Sequence, residues 1–461
     1  MSGKRLTPSD AMFLYGESRE TMMLVASLMP FSPPADAPPE LLRQLMDEVR
    51  AGPAVHSPWN QKLRSPDRLR SPLQSWVQDS HVDLEYHVRR TALPSPGDER
   101  ELGIVLSRLH GHQIDLHRPP WELHLIEGLE GGRFAMYVKV HHALADGYTA
   151  MRLLSRSLTH DPDERDRPLF FAVPPSPREP RDPEPTGIHF PELLAAVRAQ
   201  VGASKSVARA IMQVVRSSRS GDHELVSPLR APRCVLNARI GSSRRFATQK
   251  LEAGRLKAVA RAAEGTLNDV VLALSAASLR RYLLERDALP ETPLVAMLPV
   301  ALRARGDAGG GNAVAAVLAT LATDVADPAE RLAAIVASTA TAKQQLQGMS
   351  PSAILQYSGL LIAPAWLQMM PRVAGHMRPT FNVVISNVPG PEQPLYFRGA
   401  RMEATHPMSI PVHGQALNIT CTSYAGSICF GFIGCRDTVP HLQRLAVYCG
   451  EALAELERVT L

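Results

Sequence analysis

The pattern of apolar and polar positions predicts strands and helices interleaved along the whole chain. In the first half, the apolar run at 21–31 predicts a strand, and 39–49 carries apolar residues at helical spacing behind a Pro-rich entry. Residues 82–89 alternate with period two, which predicts a strand. A helix is predicted over 98–110 and an alternating strand over 121–128. Gly131-Gly132 then turns the chain into the apolar run 134–140, rich in β-branched and aromatic residues. A helix-like stretch follows at 148–158, and Thr7-Pro8 near the start is a helix-initiation signal.

The second half repeats the mixture. Strands are predicted at 245–251, 294–300 and 381–386, and a hairpin joins 417–423 to 427–433 across 424–426. Helices are predicted at 252–263, from Thr266 onward, at 327–347 and at 440–457. Thr266 with Asp269 three residues later forms a capping-box-like pair. The fold class is therefore α/β with mixed sheets, in two related lobes facing a cleft. The expected division is 1–160, 161–232 and 233–461. Nine prolines between 161 and 191 make that stretch an extended linker. Residues 191–219 read as a basic amphipathic helix, either a crossover packed between the lobes or a surface helix touching anionic membrane or lipid droplets.

Composition narrows the class without choosing a function. Of 461 residues, 45% are hydrophobic and 21% charged, the balance of an ordered globular protein. The net charge of +5 is too mild to imply nucleic acid, and no nucleic-acid motif accompanies it. It suits an anionic cofactor or membrane surface. The five cysteines are odd in number and form no CxxC, so disulfides are not expected and a reducing, cytoplasmic setting is. No signal peptide is evident. No stretch reaches the ~20 apolar residues of a membrane span; 360–370 comes nearest but is short and contains Pro364.

The candidate chemistry lies at the end of the 134–140 strand, where His141-His142 precede Asp146-Gly147. An imidazole with an ordinary pKa of about 6.5 suits proton transfer near neutrality. Asp146 could orient that ring or stabilise the turn. Adjacent histidines at a strand end diverge, unlike the helical pair of an H-E-x-x-H zinc site, so no metal is expected.

His141-His142-Ala143-Leu144-Ala145-Asp146-Gly147 resembles the HHxxxDG motif of the CoA-dependent acyltransferase superfamily, which includes chloramphenicol acetyltransferase, plant alcohol acyltransferases and peptide-synthetase condensation domains. Four further stretches resemble the bacterial wax ester synthase/diacylglycerol acyltransferases. Pro119-Pro120-Trp121-Glu122 is similar to their PLW motif, and Leu267-Asn268-Asp269-Val270 to their ND motif. The segment from Ala296 through Pro299 to Arg303 is similar to their proline-and-arginine segment, and Asn382 to Pro391 to their NVxxSNVPGP stretch. The segments around Ser9-Asp10, 83–89 and 418–434 also match, so the resemblance spans about residues 6 to 456. The DFGWG of the plant enzymes is absent, and no carrier-protein domain is fused to the chain. Pro120, where leucine is usual, and Thr21-Met22-Met23 depart from the family pattern, and neither is expected to touch the catalytic candidates.

The resemblance implies two chloramphenicol-acetyltransferase-like lobes with the active site in an interdomain tunnel. It implies transfer of a long-chain fatty acyl group from acyl-CoA to a fatty alcohol or a diacylglycerol. Acyl-CoA would be a co-substrate, with no permanently bound cofactor. Peripheral contact with the inner membrane or lipid inclusions would follow from the insoluble products. His142 is the expected general base and His141 a support for it. Asp146 is expected to hold the loop by pairing with an arginine, or else to orient His142 directly. Gly147 is ascribed to backbone geometry or close packing. Asn268, Asn382, Ser386 and Asn387 are oxyanion-donor or substrate-binding candidates, each with a capping or turn role as the alternative. Trp121, Asp269 and Arg303 complete the motif positions. An acyltransferase for another hydroxyl acceptor and a non-catalytic lipid-binding protein of the same fold remain as alternative functions.

Overall fold

The computed structural model describes residues 4–38, 40–69, 71, 74–175, 231–301, 314–347, 349–368 and 378–461. The basic stretch 191–219, the glycine turn at 309–312 and Arg303 lie outside these residues. The first half runs β1 (Lys4–Arg5), α1 (Pro8–Gly16), β2 (Leu24–Ser32), α2 (Leu41–Arg50), β3 (Gln61–Leu63), β4 (Ser75–Gln78), α3 (Leu84–His87), β5 (Val88–Ala92), α4 (Glu99–His110), β6 (Trp121–Leu129), β7 (Arg133–His141) and α5 (Gly147–Leu154). The second half begins β8 (Arg244–Glu252), α6 (Ala253–Ala262), α7 (Leu267–Leu284), β9 (Val295–Ala301), β10 (Val314–Thr320), α8 (Pro328–Leu346) and α9 (Pro351–Gln368). It ends β11 (Val383–Val388), β12 (Tyr396–Phe397), β13 (Ala400–Met402), β14 (His406–Met408), β15 (Leu417–Tyr424), β16 (Ser427–Cys435) and α10 (Gln443–Thr460).

These elements make two mixed α/β lobes, each on its own sheet. In the first sheet β7 is central, antiparallel to β2 on one side and to β6 on the other, and β5 adds in parallel to β6. The second sheet has the order β10-β9-β11-β15-β16-β8, with β11 parallel to both neighbours and the other pairs antiparallel. A small antiparallel sheet, β1-β4-β3, stands apart.

The first lobe's core is aromatic. Trp59, Trp121, Phe170 and Phe171 are fully buried against one another. Leu169, Phe170 and Phe171 fall inside the Pro-rich interval, so the first lobe continues past residue 160. The second core is aliphatic and surrounds α7, which buries twelve of its eighteen residues. α7 starts as its capping box requires: the Thr266 side chain accepts from Asp269 N, and the Asp269 carboxylate accepts from Thr266 N at 2.7 Å.

Two features differ from the sequence reading. Residues 82–89 alternate as a strand does, but 84–87 form one helical turn. Asp83 caps it by accepting from Tyr86 N at 3.2 Å, and the strand starts only at Val88. A local side-chain acceptor here overrides the period-two pattern. Second, β12, β13 and β14 belong by sequence to the second half yet extend the first sheet. Both β13 and β14 pair with the free edge of β2, at Met402↔Phe31 and His406↔Leu28. β14 also packs against β15 and β16, so it joins the lobes. The seam is closed elsewhere by α4 packing on β8, where Ser107 Oγ accepts from Phe246 N at 3.1 Å.

Candidate active site

The two histidines sit where β7 ends. His141 is the last strand residue, opposite Leu24 of β2, and its N–H donates to Pro120 O at 3.0 Å. Trp121, one residue along, is fully buried, stacks on His87 and donates Nε1–H to Trp59 O at 2.7 Å. Two residues before His141, the buried Lys139 ammonium pairs with Glu122 at 3.1 Å and donates to the carbonyls of Leu109 and His112. Lys139 thus ties the C-terminal end of α4 to the strand that presents the histidines, as a cation at a helix C-terminus should. The strand end is held by hydrophobic burial on one face and a buried ion pair on the other.

His142 begins the loop. Its N–H donates to Met23 O at 2.8 Å, and its ring stacks on Phe13 of α1 with centroids 3.9 Å apart. Burial pushes the imidazole pKa down to about 4, with the neighbouring His141 adding to the fall; Asp146 and the residue's own main chain oppose it. His142 is therefore a neutral base at physiological pH. The two sequence departures touch this site after all. Pro120 and Met23 each lend a main-chain carbonyl to one of the two candidate histidines, which any residue type can do, so the motif tolerates the change.

His141 is 1% exposed and turned away from solvent. Its Nδ1 accepts from Ala143 N at 3.1 Å, and its Nε2 lies 3.4 Å from Glu17 Oε2. Glu17, on the turn after α1, also accepts from Met23 N at 2.6 Å and from Gln113 Nε2 at 3.0 Å. The same turn reaches the other lobe. Glu20 Oε2 meets Arg239 at 3.1 Å and His413 at 3.2 Å, and Glu20 O accepts from Arg244 at 2.5 Å. Phe13, Glu17 and Glu20 were not singled out in the sequence. An acid after an apolar helix carries no local mark of a partner 124 residues away.

Asp146 is the N-cap of α5, with Oδ1 accepting from Thr149 N at 2.6 Å. Among the described residues it forms no ion pair with an arginine, and its cap of α5 holds this loop. Gly147 opens α5 without a left-handed φ, and a Cβ there would meet open space. Neither backbone geometry nor close packing requires glycine at that position.

The cap and an orienting role make different predictions. Asn caps a helix about as well as Asp, whereas Ala costs about 1 kcal/mol. Asp146→Asn should retain the thermal midpoint and turnover within a few-fold, while Asp146→Ala lowers the midpoint. A thousandfold loss of kcat in Asp146→Asn, with folding intact, would instead make Asp146 an orienting partner of His142.

The other candidates lie in the second lobe. Asn382 is fully buried, and its amide is spent: Oδ1 accepts from Val295 N at 2.9 Å, and Nδ2 donates to Pro232 O and Asn237 Oδ1, each at 2.7 Å. This amide braces β9 against the entry to the second lobe and has no donor left for an oxyanion. Asp269 is likewise engaged, by Thr266 and by Thr339 Oγ1 at 2.7 Å. Asn268, Ser386 and Asn387 are half-buried, and their side chains have no hydrogen-bond partner among the described residues. Asn268 occupies the first turn of α7, where its amide stands beside unpaired main-chain N–H groups. Ser386 and Asn387 sit near the end of β11 on opposite faces. Ser386 pairs with Thr420, whose side chain lies with Asn418 and Thr422 in a buried polar row on β15. Leu417, Ile419 and Cys421 alternate with that row into the core around α7, so the row faces away from the helices.

Comparison with known proteins places this geometry. Residues 6–271 match the wax ester synthase/diacylglycerol acyltransferase catalytic domain, and 310–457 match the C-terminal domain of the same enzymes. A Mycobacterium tuberculosis protein named as a diacylglycerol O-acyltransferase is 52% identical over 99% of this chain and 97% of its own. The O-acyltransferase WSD of Acinetobacter baylyi is 38% identical over 98% and 97%. The structure of the wax ester synthase/diacylglycerol acyltransferase from Marinobacter aquaeolei superposes with a TM-score of 0.79 at 41% identity, covering 99% of both chains. A condensation domain of the calcium-dependent antibiotic synthetase, 18% identical with a TM-score of 0.60, shares the fold.

Proposed function

The chain belongs to the wax ester synthase/diacylglycerol acyltransferase family, and from that premise we propose that it moves a long-chain fatty acyl group from acyl-CoA to the hydroxyl of a fatty alcohol or a diacylglycerol, with His142 as general base. The observation that carries the base assignment is a desolvated imidazole, neutral at working pH, at a strand end held by main-chain bonds on both sides. His142 takes the proton of the attacking hydroxyl as its oxygen bonds to the thioester carbonyl carbon. The tetrahedral intermediate collapses, the carbon–sulfur bond breaks, and the imidazolium returns the proton to the CoA thiolate. The products are an ester and CoA, and proton and charge balance with no covalent enzyme intermediate. An imidazolium of low pKa gives its proton readily to a thiolate, whose conjugate acid is near 8.5. The developing oxyanion needs donors; Asn268, and Ser386 or Asn387 from the opposite faces of β11, are the candidates whose side chains are left free to supply them. Acyl-CoA is consumed as a co-substrate.

No helix among the described residues is long and apolar enough to cross a membrane. The chain acts on the cytoplasmic side, at the surface of the inner membrane or of lipid inclusions, where water-insoluble acceptors collect. The stretch 191–219, basic and amphipathic in sequence, is the contact. Flotation with anionic liposomes should show binding that weakens with salt; binding indifferent to salt, or none, would rule out an electrostatic contact.

The test of the activity is purified protein with palmitoyl-CoA and either hexadecanol or dipalmitoylglycerol, following CoA release and the ester formed. Absence of ester with both, but ester with another hydroxyl compound in a panel, would reassign the acceptor. Binding of these lipids without any CoA release would leave a non-catalytic lipid-binding protein.

The acidic limb of the pH–rate profile follows from the same group. The neutral imidazole is the active form, and its pKa is lowered to about 4. Activity should therefore stay level as pH falls through 6.5 and drop only near pH 4, read as kcat/KM in short assays after a pH jump. A limb centred between 6 and 7 would mean that His142 is solvated in the working enzyme.

A further inference from the structure

The turn joining α1 to β2 holds a carboxylate buried to 6% exposure, and all three groups it faces lead to the histidine pair or its strand. Glu17 Oε2 accepts from Met23 N at 2.6 Å and lies 3.4 Å from His141 Nε2, while Oε1 accepts from Gln113 Nε2 at 3.0 Å. Met23 O in turn accepts from His142 N at 2.8 Å. On the other side of the His141 ring, Ala143 N donates to Nδ1 at 3.1 Å, so Nδ1 must be the unprotonated nitrogen. A neutral ring then carries its proton on Nε2, the atom that faces Glu17.

We propose that Glu17 is a positioning residue for acyl transfer, setting the Nε2–H tautomer of His141 so that its Nδ1 can hold the Ala143 amide and, with the Met23 main chain, fix His142 between two anchored neighbours. The proposal rests on His142 being the base. Glu17 touches neither substrate nor the reacting atoms. It acts by two routes that meet at one residue: through Met23, whose carbonyl takes the His142 N–H, and through His141, whose ring takes the N–H of the following residue. His141 Nε2 has no hydrogen bond among the described residues and faces the Glu17 carboxylate at 3.4 Å; without that charge nothing favours the proton on Nε2 from that side, while the tautomer protonated at Nδ1 would set two N–H groups against each other at Ala143. A buried donor left facing a donor is expelled or rearranges the loop, and displacement of a catalytic group by about 1 Å costs on the order of 100-fold.

The geometry also says which substitution should rescue the function. A glutamine at 17 can place its carbonyl oxygen toward Met23 N and His141 Nε2. Its amide nitrogen then faces Gln113, whose own amide can turn to offer oxygen. The bonds to Met23 N and Gln113 and the contact with His141 Nε2 survive while the charge is lost.

The experiment compares Glu17→Ala and Glu17→Gln with wild type and His142→Ala, using palmitoyl-CoA and hexadecanol. It is combined with long-range ¹⁵N–¹H correlation spectra of ¹⁵N-histidine-labelled protein, with His141→Asn identifying the resonance. Glu17→Ala is expected to lower kcat by about 10- to 100-fold with KM nearly unchanged. It should also convert the His141 signature from pure Nε2–H to a mixture, and Glu17→Gln should recover both. A loss of kcat with the His141 tautomer unaltered would overturn the proposal, because packing or the Met23 bond alone would then account for it. Wild-type kcat in Glu17→Ala, or Glu17→Gln as impaired as Glu17→Ala, would overturn it as well. If His142→Ala remains fully active, the base assignment fails first; if His142→Ala is inactive and Glu17→Ala is not, only the role of Glu17 fails.

Discussion

Replacing His142 by alanine is expected to lower kcat for acyl transfer by about 100- to 10,000-fold, the usual worth of one general acid–base group. The fold should survive. His142 contributes its N–H to Met23 O, which alanine also supplies, and its ring packs on Phe13 at the edge of the first lobe's core rather than within it. KM for the acyl donor should change little, since the imidazole is assigned to proton transfer and not to holding CoA. The measurement is CoA release and ester formation under saturating palmitoyl-CoA, with the thermal midpoint as the check on folding. A well-folded His142→Ala protein that keeps a tenth or more of wild-type kcat would remove the base assignment and return His142 to a turn residue. His141→Ala is a useful contrast: His141 is buried and hydrogen-bonded to the loop, so it should lose stability together with activity.

Gly431→Ala should be among the most damaging single methyl groups that can be added to this protein. A Cβ on Gly431 would stand 1.8 Å from Pro407 O and 3.0 Å from Pro407 C. Both are main-chain atoms of β14, which is paired to β2 and cannot step aside alone. Gly431 has no left-handed φ; glycine is needed there because β14 crosses directly over β16. The same crossing is marked by His406, whose Nδ1 lies 2.9 Å from Phe430 O and whose pKa burial lowers to about 4. The substitution therefore pushes the two lobes apart where one strand belongs to both, at a cost of about 3 kcal/mol or more. Gly426→Ala is the control. It sits in open space in the hairpin turn at φ +79°, so it should cost only the strain of that backbone, about 1 kcal/mol. Urea midpoints of the two variants decide the matter. Equal and small shifts would mean that the β14–β16 contact is not maintained in solution.

The site was legible in the sequence as far as its parts are local. The histidine pair is recognisable because an apolar strand, a turn and a cap follow one another within some twenty residues. The α7 cap was legible for the same reason, since Thr266 and Asp269 satisfy each other across three residues. The hairpin of β15 and β16 was legible because alternating strands flank a two-residue turn. Where the reading stopped, the cause was distance or competition. At 84–87 a capping aspartate competes with alternation and wins. α9 has an apolar composition with no charged residue, so it shows no amphipathic period to mark it. The strands β12 to β14 are two or three residues long, too short for any period to show.

Local order along the chain thus settles which residues can do chemistry: a strand that ends in His141-His142 and a cap at Asp146. It settles the class of fold as well, because hydrophobic spacing records which face of each element is buried. The tertiary structure alone decides the surroundings of His142. Its low pKa comes from burial under Phe13, its main chain is pinned by Met23, and its neighbour's ring is faced by Glu17; all three arrive from α1 and the turn after it, some 120 residues upstream. Tertiary structure alone also decides that a strand from the second half completes the first sheet. Hydrogen bonds and desolvation depend on separation in space, and a sequence records only separation along the chain.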